Sequence, residues 1–198
     1  MTCVLEIDLS AIRENYQYLA RDTSKRIAGV VKADAYGLGA VRVVSELVNL
    51  GCKEFFVANV EEGKALRSRF DEIILYVLEG VLESTYDDLL RHNLRPVVNT
   101  LAQCELWSKQ SAPCAIHIDS GMERLGLNED EMNQEHNKFF FMIYYLIMFL
   151  PIILPLIYYN TSWISLDLHF LLRHHSNNSP LIFRLAQQRF LLILVYIC

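Results

Sequence analysis

Short apolar runs alternate with stretches whose apolar residues recur at helical spacing along the first two-thirds of the chain. The pattern predicts strands at 27–31, 55–58, 73–78, 96–98 and 114–118, and helices at 38–50, 60–70, 84–92 and 100–109. Ser84 and Thr100 are the expected N-caps of the last two helices. Strands that alternate with helices in this way predict βαβ units and a parallel sheet.

A polar residue ends or closely follows each predicted strand: Lys32, Asn59, Glu79, Asn99 and Asp119. In parallel α/β folds the carboxyl ends of the strands gather at one edge, where the chemistry lies. We therefore expect an α/β fold, a partial TIM (β/α)8-type barrel with roughly the first five strand–helix units. A doubly wound open sheet fits the same local pattern, although no G-x-G-x-x-G motif follows the first strand.

The candidate chemistry lies at the end of the first predicted strand, in the sequence VVKADAYGLG at 30–39. Lys32 ends an apolar strand, and desolvation of an amine favours its neutral form, which can attack a carbonyl and form a Schiff base. Tyr36 lies four residues further on and offers a phenolic hydrogen bond. Gly37 and Gly39 allow the backbone to turn tightly into the next helix. The alternative is a solvated lysine that merely ends the strand.

The segment 30–39 resembles the pyridoxal-phosphate signature of alanine racemases. Other segments resemble further parts of that family in the same order: EIDLSAIREN at 6–15, FVANVEEG at 56–63 and HIDSGMERLG at 117–126. The resemblance covers roughly residues 4 to 130. It implies a fold-type III, pyridoxal 5′-phosphate-dependent isomerase that interconverts L- and D-alanine and supplies D-alanine for peptidoglycan.

The resemblance also implies a role for each matching residue. Lys32 would hold pyridoxal 5′-phosphate covalently and act as one of two catalytic bases, and Tyr36 would bond the cofactor phosphate. Arg124 would lie near the cofactor's phenolic oxygen and the substrate carboxylate, where a guanidinium suits an anion. Met122 would line the entrance and contact the substrate. From the residues alone, Arg124 could instead pair with a neighbouring glutamate and Met122 could simply pack.

Two departures from the family pattern limit what the resemblance implies. Some members carry a carbamylated lysine where this chain has His117. This histidine either donates a hydrogen bond in the neighbourhood of Arg124 or packs inside the barrel. Racemisation also needs bases on opposite faces of the substrate. The family takes its second base, a tyrosine, from the partner subunit's C-terminal β-domain. That domain has no recognisable counterpart here, so we do not expect the family's homodimer.

The composition changes abruptly after Glu135. All 8 glycines lie at or before Gly126, and of 23 acidic residues only Asp167 follows Glu135. Residues 1–135 carry 14 basic and 22 acidic side chains, a net charge of −8, whereas residues 136–198 carry 4 and 1, a net charge of +3. A globular α/β domain needs glycines for turns and helix ends, and the later segment has none.

We therefore predict a racemase-like barrel part at 1–134 and an aberrant apolar tail at 135–198. Our hypothesis is that the reading frame shifts near Met132 to Asn137, which leaves a truncated, inactive enzyme. Phe139 to Tyr159 is an uncharged run long enough to span a bilayer, although Pro residues would kink such a helix. The alternatives are a non-catalytic cofactor-binding or membrane-tethered remnant and a related barrel decarboxylase.

The overall charge and the cysteines exclude some classes of protein. The formal net charge is −5 and no basic cluster occurs, which gives no reason to expect nucleic-acid binding. The 5 cysteines form no CxxC pair and no metal-ligand spacing with histidine. No secretory signal is recognisable at the start of the chain. We expect a cytoplasmic protein with reduced thiols.

Overall fold

The structure is a computed structural model that describes residues 4–21, 26–110, 112–119, 123–128, 130–131, 143–148 and 182–184. The chain divides into two compact units, one formed by 1–7 with 150–185 and the other by 8–149 with 186–198. In the first unit, strand β1 (Val4–Glu6) pairs in parallel with strand β8 (Ile182–Arg184). The remaining described elements belong to the second unit.

The second unit is a six-stranded parallel sheet with helices between its strands. The strands are β2 (Ala28–Val30), β3 (Glu54–Val57), β4 (Ile74–Val77), β5 (Arg95–Val98), β6 (Cys114–Ile118) and β7 (Ile143–Met148). The helical elements are α1 (Leu9–Arg21), α2 (Lys32–Tyr36), α3 (Ala40–Asn49), α4 (Val60–Arg67), α5 (Tyr86–Arg91) and α6 (Leu101–Trp107).

Each strand of this sheet pairs with its neighbours in sequence, in the order β2-β3-β4-β5-β6-β7. Gly29 lies opposite Phe55, and Phe56 lies opposite Tyr76. A doubly wound sheet reverses its strand order at a switch point, and the described strands contain no such reversal. The strand order therefore agrees with the predicted partial barrel, in which each strand lies beside the next one in sequence. It places the carboxyl ends of β2 to β6 along one edge.

Strands β2 to β6 are buried on both faces, as parallel strands between helices usually are. On one face Phe56 and Tyr76 stack with their ring centroids 4.8 Å apart. On the other face α3 packs closely, because a Cβ atom on Gly29 would lie 3.1 Å from Leu47 Cδ1 and 2.9 Å from Phe55 Cδ1. The first face contains one continuous cluster of buried residues: Ala28, Val30, Phe56, Tyr76, Val97 and Ala115.

All nine predicted elements have a counterpart within three residues at each end. The Thr100 cap is confirmed, because its side chain accepts a hydrogen bond from the Gln103 N–H at 3.3 Å. The predicted Ser84 cap is wrong. Helix α5 begins at Tyr86 after Thr85, whose hydroxyl oxygen accepts instead from the Leu82 N–H at 3.2 Å and closes the preceding turn. Helix α1 was not predicted from the periodicity.

Two short strands lie in the segment for which the sequence predicted an aberrant tail. Strand β7 pairs in parallel with β6, with Ile143 opposite Cys114 and Met148 opposite Ile118. The described residues of the candidate membrane span at 139–159 therefore form a strand rather than a helix, and its other residues lie outside the described part. In the residues that the structure describes, no helix is long and apolar enough to cross a membrane.

Candidate active site

Lys32 and the residues after it form a turn of left-handed backbone. Lys32 is half-buried and opens α2, and Ala33 to Tyr36 have φ angles of 52° to 55°. Backbone hydrogen bonds close the turn, from Gly37 N–H to Ala33 O at 3.0 Å and from Gly39 N–H to Asp34 O at 2.9 Å. Both glycines have positive φ, at 86° and 89°, so the prediction that they allow a tight turn into α3 is confirmed.

This turn places Tyr36 beside Lys32. The Lys32 Nζ lies 6.0 Å from the centroid of the Tyr36 ring, and 45% of Tyr36 is exposed. Partial burial raises the pKa of the Tyr36 phenol above its usual value. The phenol therefore stays protonated at neutral pH and can donate a hydrogen bond beside the lysine amine.

Two carboxylates bind the backbone at opposite ends of the turn. Asp34 Oδ1 accepts from the Ala40 N–H at 2.7 Å, at the start of α3. Glu62 Oε1 accepts from the Ala33 N–H at 2.9 Å. Glu62 was not among the predicted site residues, although its spacing from Asn59 is that of a capping box. The Asn59 side chain does cap α4, accepting from the Glu62 N–H at 3.0 Å.

His117 is buried near the end of β6, with 8% of its surface exposed, so the second predicted alternative, packing inside the sheet, is observed. Its Nδ1 lies 2.8 Å from Asn99 Oδ1, while Asn99 Nδ2 donates to Leu78 O at 2.9 Å and Val97 O at 2.8 Å. An amide oxygen only accepts, so His117 Nδ1 carries the proton of that bond. Burial lowers the pKa of His117, and the charge of Asp119 opposes this in part.

The segment after β6 folds back on the strand. The Asp119 N–H donates to Leu127 O at 3.0 Å, and the Leu127 N–H donates to His117 O at 2.8 Å. Gly126 has a φ of 110°, and a Cβ atom there would lie 2.7 Å from Asp119 N. Only glycine fits this close approach. Arg124 lies in the resulting turn with its side chain exposed.

Lys32 and Arg124 follow the ends of β2 and β6 at the same edge of the sheet, four strands apart in its order. Met122, the fourth predicted site residue, lies outside the described residues. Of the other polar strand ends, Asn59 caps α4 and Glu79 Oε1 accepts from the Val60 N–H at 3.0 Å. These two side chains hold a helix end, whereas the Lys32 amine is a candidate nucleophile at this edge.

Comparison with known proteins gives a consistent family. A family model described as "Alanine racemase, N-terminal domain" matches residues 7–139. The chain is 43% identical over 140 residues to the alanine racemase of Rickettsia prowazekii (strain Madrid E), covering 67% of this chain and 35% of that protein. It is 42% identical over 141 residues to the alanine racemase of Rickettsia rickettsii (strain Sheila Smith), covering 67% and 39%. The chain thus spans less than two-fifths of these relatives.

Solved structures share the fold over a similar part of the chain. The alanine racemase of Bartonella henselae, solved with covalently bound pyridoxal phosphate, matches with a TM-score of 0.62 and 31% identity, covering 67% of this chain and 39% of that one. The biosynthetic alanine racemase of Pseudomonas aeruginosa matches with a TM-score of 0.63 and 31% identity, covering 71% and 41%. Lys32, Tyr36 and Arg124 all lie within the residues that the family model matches.

Proposed function

The chain belongs to the alanine racemase N-terminal domain family, and from this premise we propose that it binds pyridoxal 5′-phosphate at Lys32 for racemisation of alanine. Members of this family are isomerases. The observation that carries the proposal is the pairing of Lys32 and Tyr36 on one rigid turn, with the Lys32 Nζ 6.0 Å from the Tyr36 ring centroid.

The chemistry of the candidate side chains fits this cofactor. Pyridoxal 5′-phosphate combines an aldehyde, which a primary amine attacks, with a phosphate, which hydrogen-bond donors and guanidinium groups bind. Lys32 supplies the amine and the protonated Tyr36 phenol supplies a neutral donor. Arg124 supplies an exposed guanidinium at the same edge of the sheet.

Each residue then has a distinct task. The cofactor, when bound, supplies an electron sink for the charge that develops at the α-carbon of an amino acid. Lys32 would hold the cofactor through its amine and, when that amine is free, would move a proton on one face of the substrate. Tyr36 would donate its phenolic hydrogen to the phosphate, and Arg124 would hold an anionic group. We assign the second base, on the opposite face, to a part of the enzyme outside the matched residues.

Covalent trapping on the full chain tests the proposal. The chain is mixed with pyridoxal 5′-phosphate, reduced with borohydride, digested and analysed by mass spectrometry to find the labelled lysines. We expect label at Lys32 well before label at the exposed Lys53 and Lys109, and Lys32→Ala should leave only the slow background. Equal labelling of all three lysines in the wild-type chain would overturn the proposal.

A second proposal concerns turnover. We infer that the chain as it stands does not racemise alanine, because no glycine and only one acidic residue, Asp167, follow Glu135. A shift of reading frame near Met132 to Asn137 accounts for this change. Translating the gene in all three frames across codons 125–198 tests the shift, since another frame should continue the barrel. Chiral chromatography of L-alanine incubated with the cofactor-loaded chain tests turnover, and D-alanine formation would refute its loss.

We also propose a cytoplasmic location.

A further inference from the structure

Glu62 joins two backbone N–H groups that belong to neighbouring strand ends. Its Oε1 accepts from the Ala33 N–H at 2.9 Å, and its Oε2 accepts from the Ala58 N–H at 2.8 Å. Ala33 directly follows Lys32, and Ala58 directly follows β3. One carboxylate therefore connects the lysine turn to the adjacent strand of the sheet.

The carboxylate itself is held in place from two sides. Glu62 lies in the first turn of α4, where the Asn59 side chain accepts from the Glu62 N–H at 3.0 Å. Glu79 Oε1 accepts from the neighbouring Val60 N–H at 3.0 Å and anchors the same helix end. Both oxygens of the half-buried Glu62 carboxylate are engaged, so it cannot rotate without losing a charge-assisted hydrogen bond.

The lysine turn needs such support because of its backbone conformation. Left-handed backbone costs an L-residue about 1–2 kcal/mol, and all four residues from Ala33 to Tyr36 have φ between 52° and 55°. Conformations of this kind persist only where the surroundings determine them. Asp34 holds the far end through its bond to the Ala40 N–H, and Glu62 holds the end next to Lys32.

We propose that Glu62 is a positioning residue, whose carboxylate holds the left-handed turn against β3 and thereby fixes the direction of Lys32 and Tyr36. This inference rests on the proposed function, because the ligand it serves is the one assigned to Lys32. Glu62 does not touch the ligand in this scheme. It acts through the Ala33 backbone, and loss of its charge changes the reactivity of Lys32 without removing any reacting group.

Amide hydrogen exchange on the full chain without cofactor tests the structural half of the proposal. Glu62→Gln replaces one accepting oxygen with an amide donor. We expect exchange to become faster at both Ala33 and Ala58, about tenfold at the amide that loses its acceptor and less at the one that keeps a neutral acceptor. Glu61→Gln is the matched control, since the exposed Glu61 lies in the same helical turn and pairs only with Lys64 at 3.2 Å among the described residues. Unchanged exchange in Glu62→Gln overturns the proposal.

Reaction with pyridoxal 5′-phosphate tests the functional half. The Lys32 amine condenses with the aldehyde and releases water, and borohydride then converts the product to a stable secondary amine. We expect Glu62→Gln to slow labelling of Lys32 about tenfold while labelling of the exposed Lys53 in the same sample stays unchanged, and Glu61→Gln to behave as wild type. A Glu62→Gln chain that labels Lys32 at the wild-type rate overturns the inference.

The two measurements separate failure of this inference from failure of the proposed function. If wild-type Lys32 labels no faster than Lys53, the proposed function is wrong, and with it the ligand that Glu62 was proposed to serve. Amide exchange at Ala33 needs no ligand and still decides whether Glu62 holds the turn. Far-UV circular dichroism of both variants confirms that the chains compared are folded.

Discussion

A fall in pH should destabilise this chain through one buried histidine. His117 is 8% exposed and its Nδ1 is hydrogen-bonded to Asn99 Oδ1. Burial lowers the pKa of His117, with partial opposition from the Asp119 charge. The folded chain therefore resists a protonation that the unfolded chain accepts near pH 6.5. The perturbation is a shift from pH 7.5 to pH 5.5, applied to the wild type and to His117→Gln.

The sign follows from which state binds more protons. Below about pH 6.5 the unfolded chain carries the extra proton, so the free energy of unfolding decreases as the pH falls. The stabilising effect of a neutral His117 is complete above about pH 6.5. It is lost as the pH falls from there to the lowered pKa of His117 in the folded chain. If His117 stays neutral in the folded chain throughout, the free energy of unfolding falls by at most about 1.4 kcal/mol between pH 7.5 and 5.5. The limit is about 1.4 kcal/mol because the unfolded histidine is protonated over only about one pH unit below 6.5, and each pKa unit corresponds to that energy.

Urea unfolding followed by far-UV circular dichroism measures this difference. We expect the wild type to lose up to about 1.4 kcal/mol more than His117→Gln over this range, since Gln cannot titrate but can still donate to Asn99. Carboxylates titrate in both chains, so their effect cancels in the comparison. Equal losses in the wild type and His117→Gln would refute the reasoning.

Three further predictions follow from single contacts. Gly126→Ala should destabilise the chain by about 1–3 kcal/mol in urea unfolding, because Gly126 has a φ of 110° and its Cβ would lie 2.7 Å from Asp119 N; an unchanged midpoint contradicts this. Thr100→Ala should cost about 1 kcal/mol by the same measurement, since it removes the α6 cap; a stability equal to wild type would show that the cap contributes nothing. Burial raises the pKa of Cys52 and of Cys114 to about 11. Both should therefore react with a thiolate-directed reagent about 100-fold more slowly at pH 8 than in the urea-unfolded chain, and similar rates by peptide mass spectrometry would disprove it.

Much of the fold could be predicted from local spacing alone. The apolar runs predicted β2 to β6 and the periodic stretches predicted α3 to α6, each to within three residues, because burial of one face imposes a period on the sequence. The same pattern located Lys32 at a strand end, and the motif around it indicated the family. Helix α1 was missed. The N-terminus of α5 was misplaced because residue type alone does not show which hydroxyl side chain caps a helix, and here the Thr85 hydroxyl closes the preceding turn instead.

The arrangement around Lys32 depended on tertiary structure. No local preference favours left-handed backbone at Ala33 to Tyr36, since L-residues avoid it. Glu62 reaches the Ala33 N–H across 29 residues of sequence, and His117 meets Asn99 across 18. The sequence by itself determined the strand and helix pattern and the residue types at the strand ends. Only the packed sheet decided which of these residues bind distant backbone groups, because hydrogen bonds between distant residues exist only after the strands align.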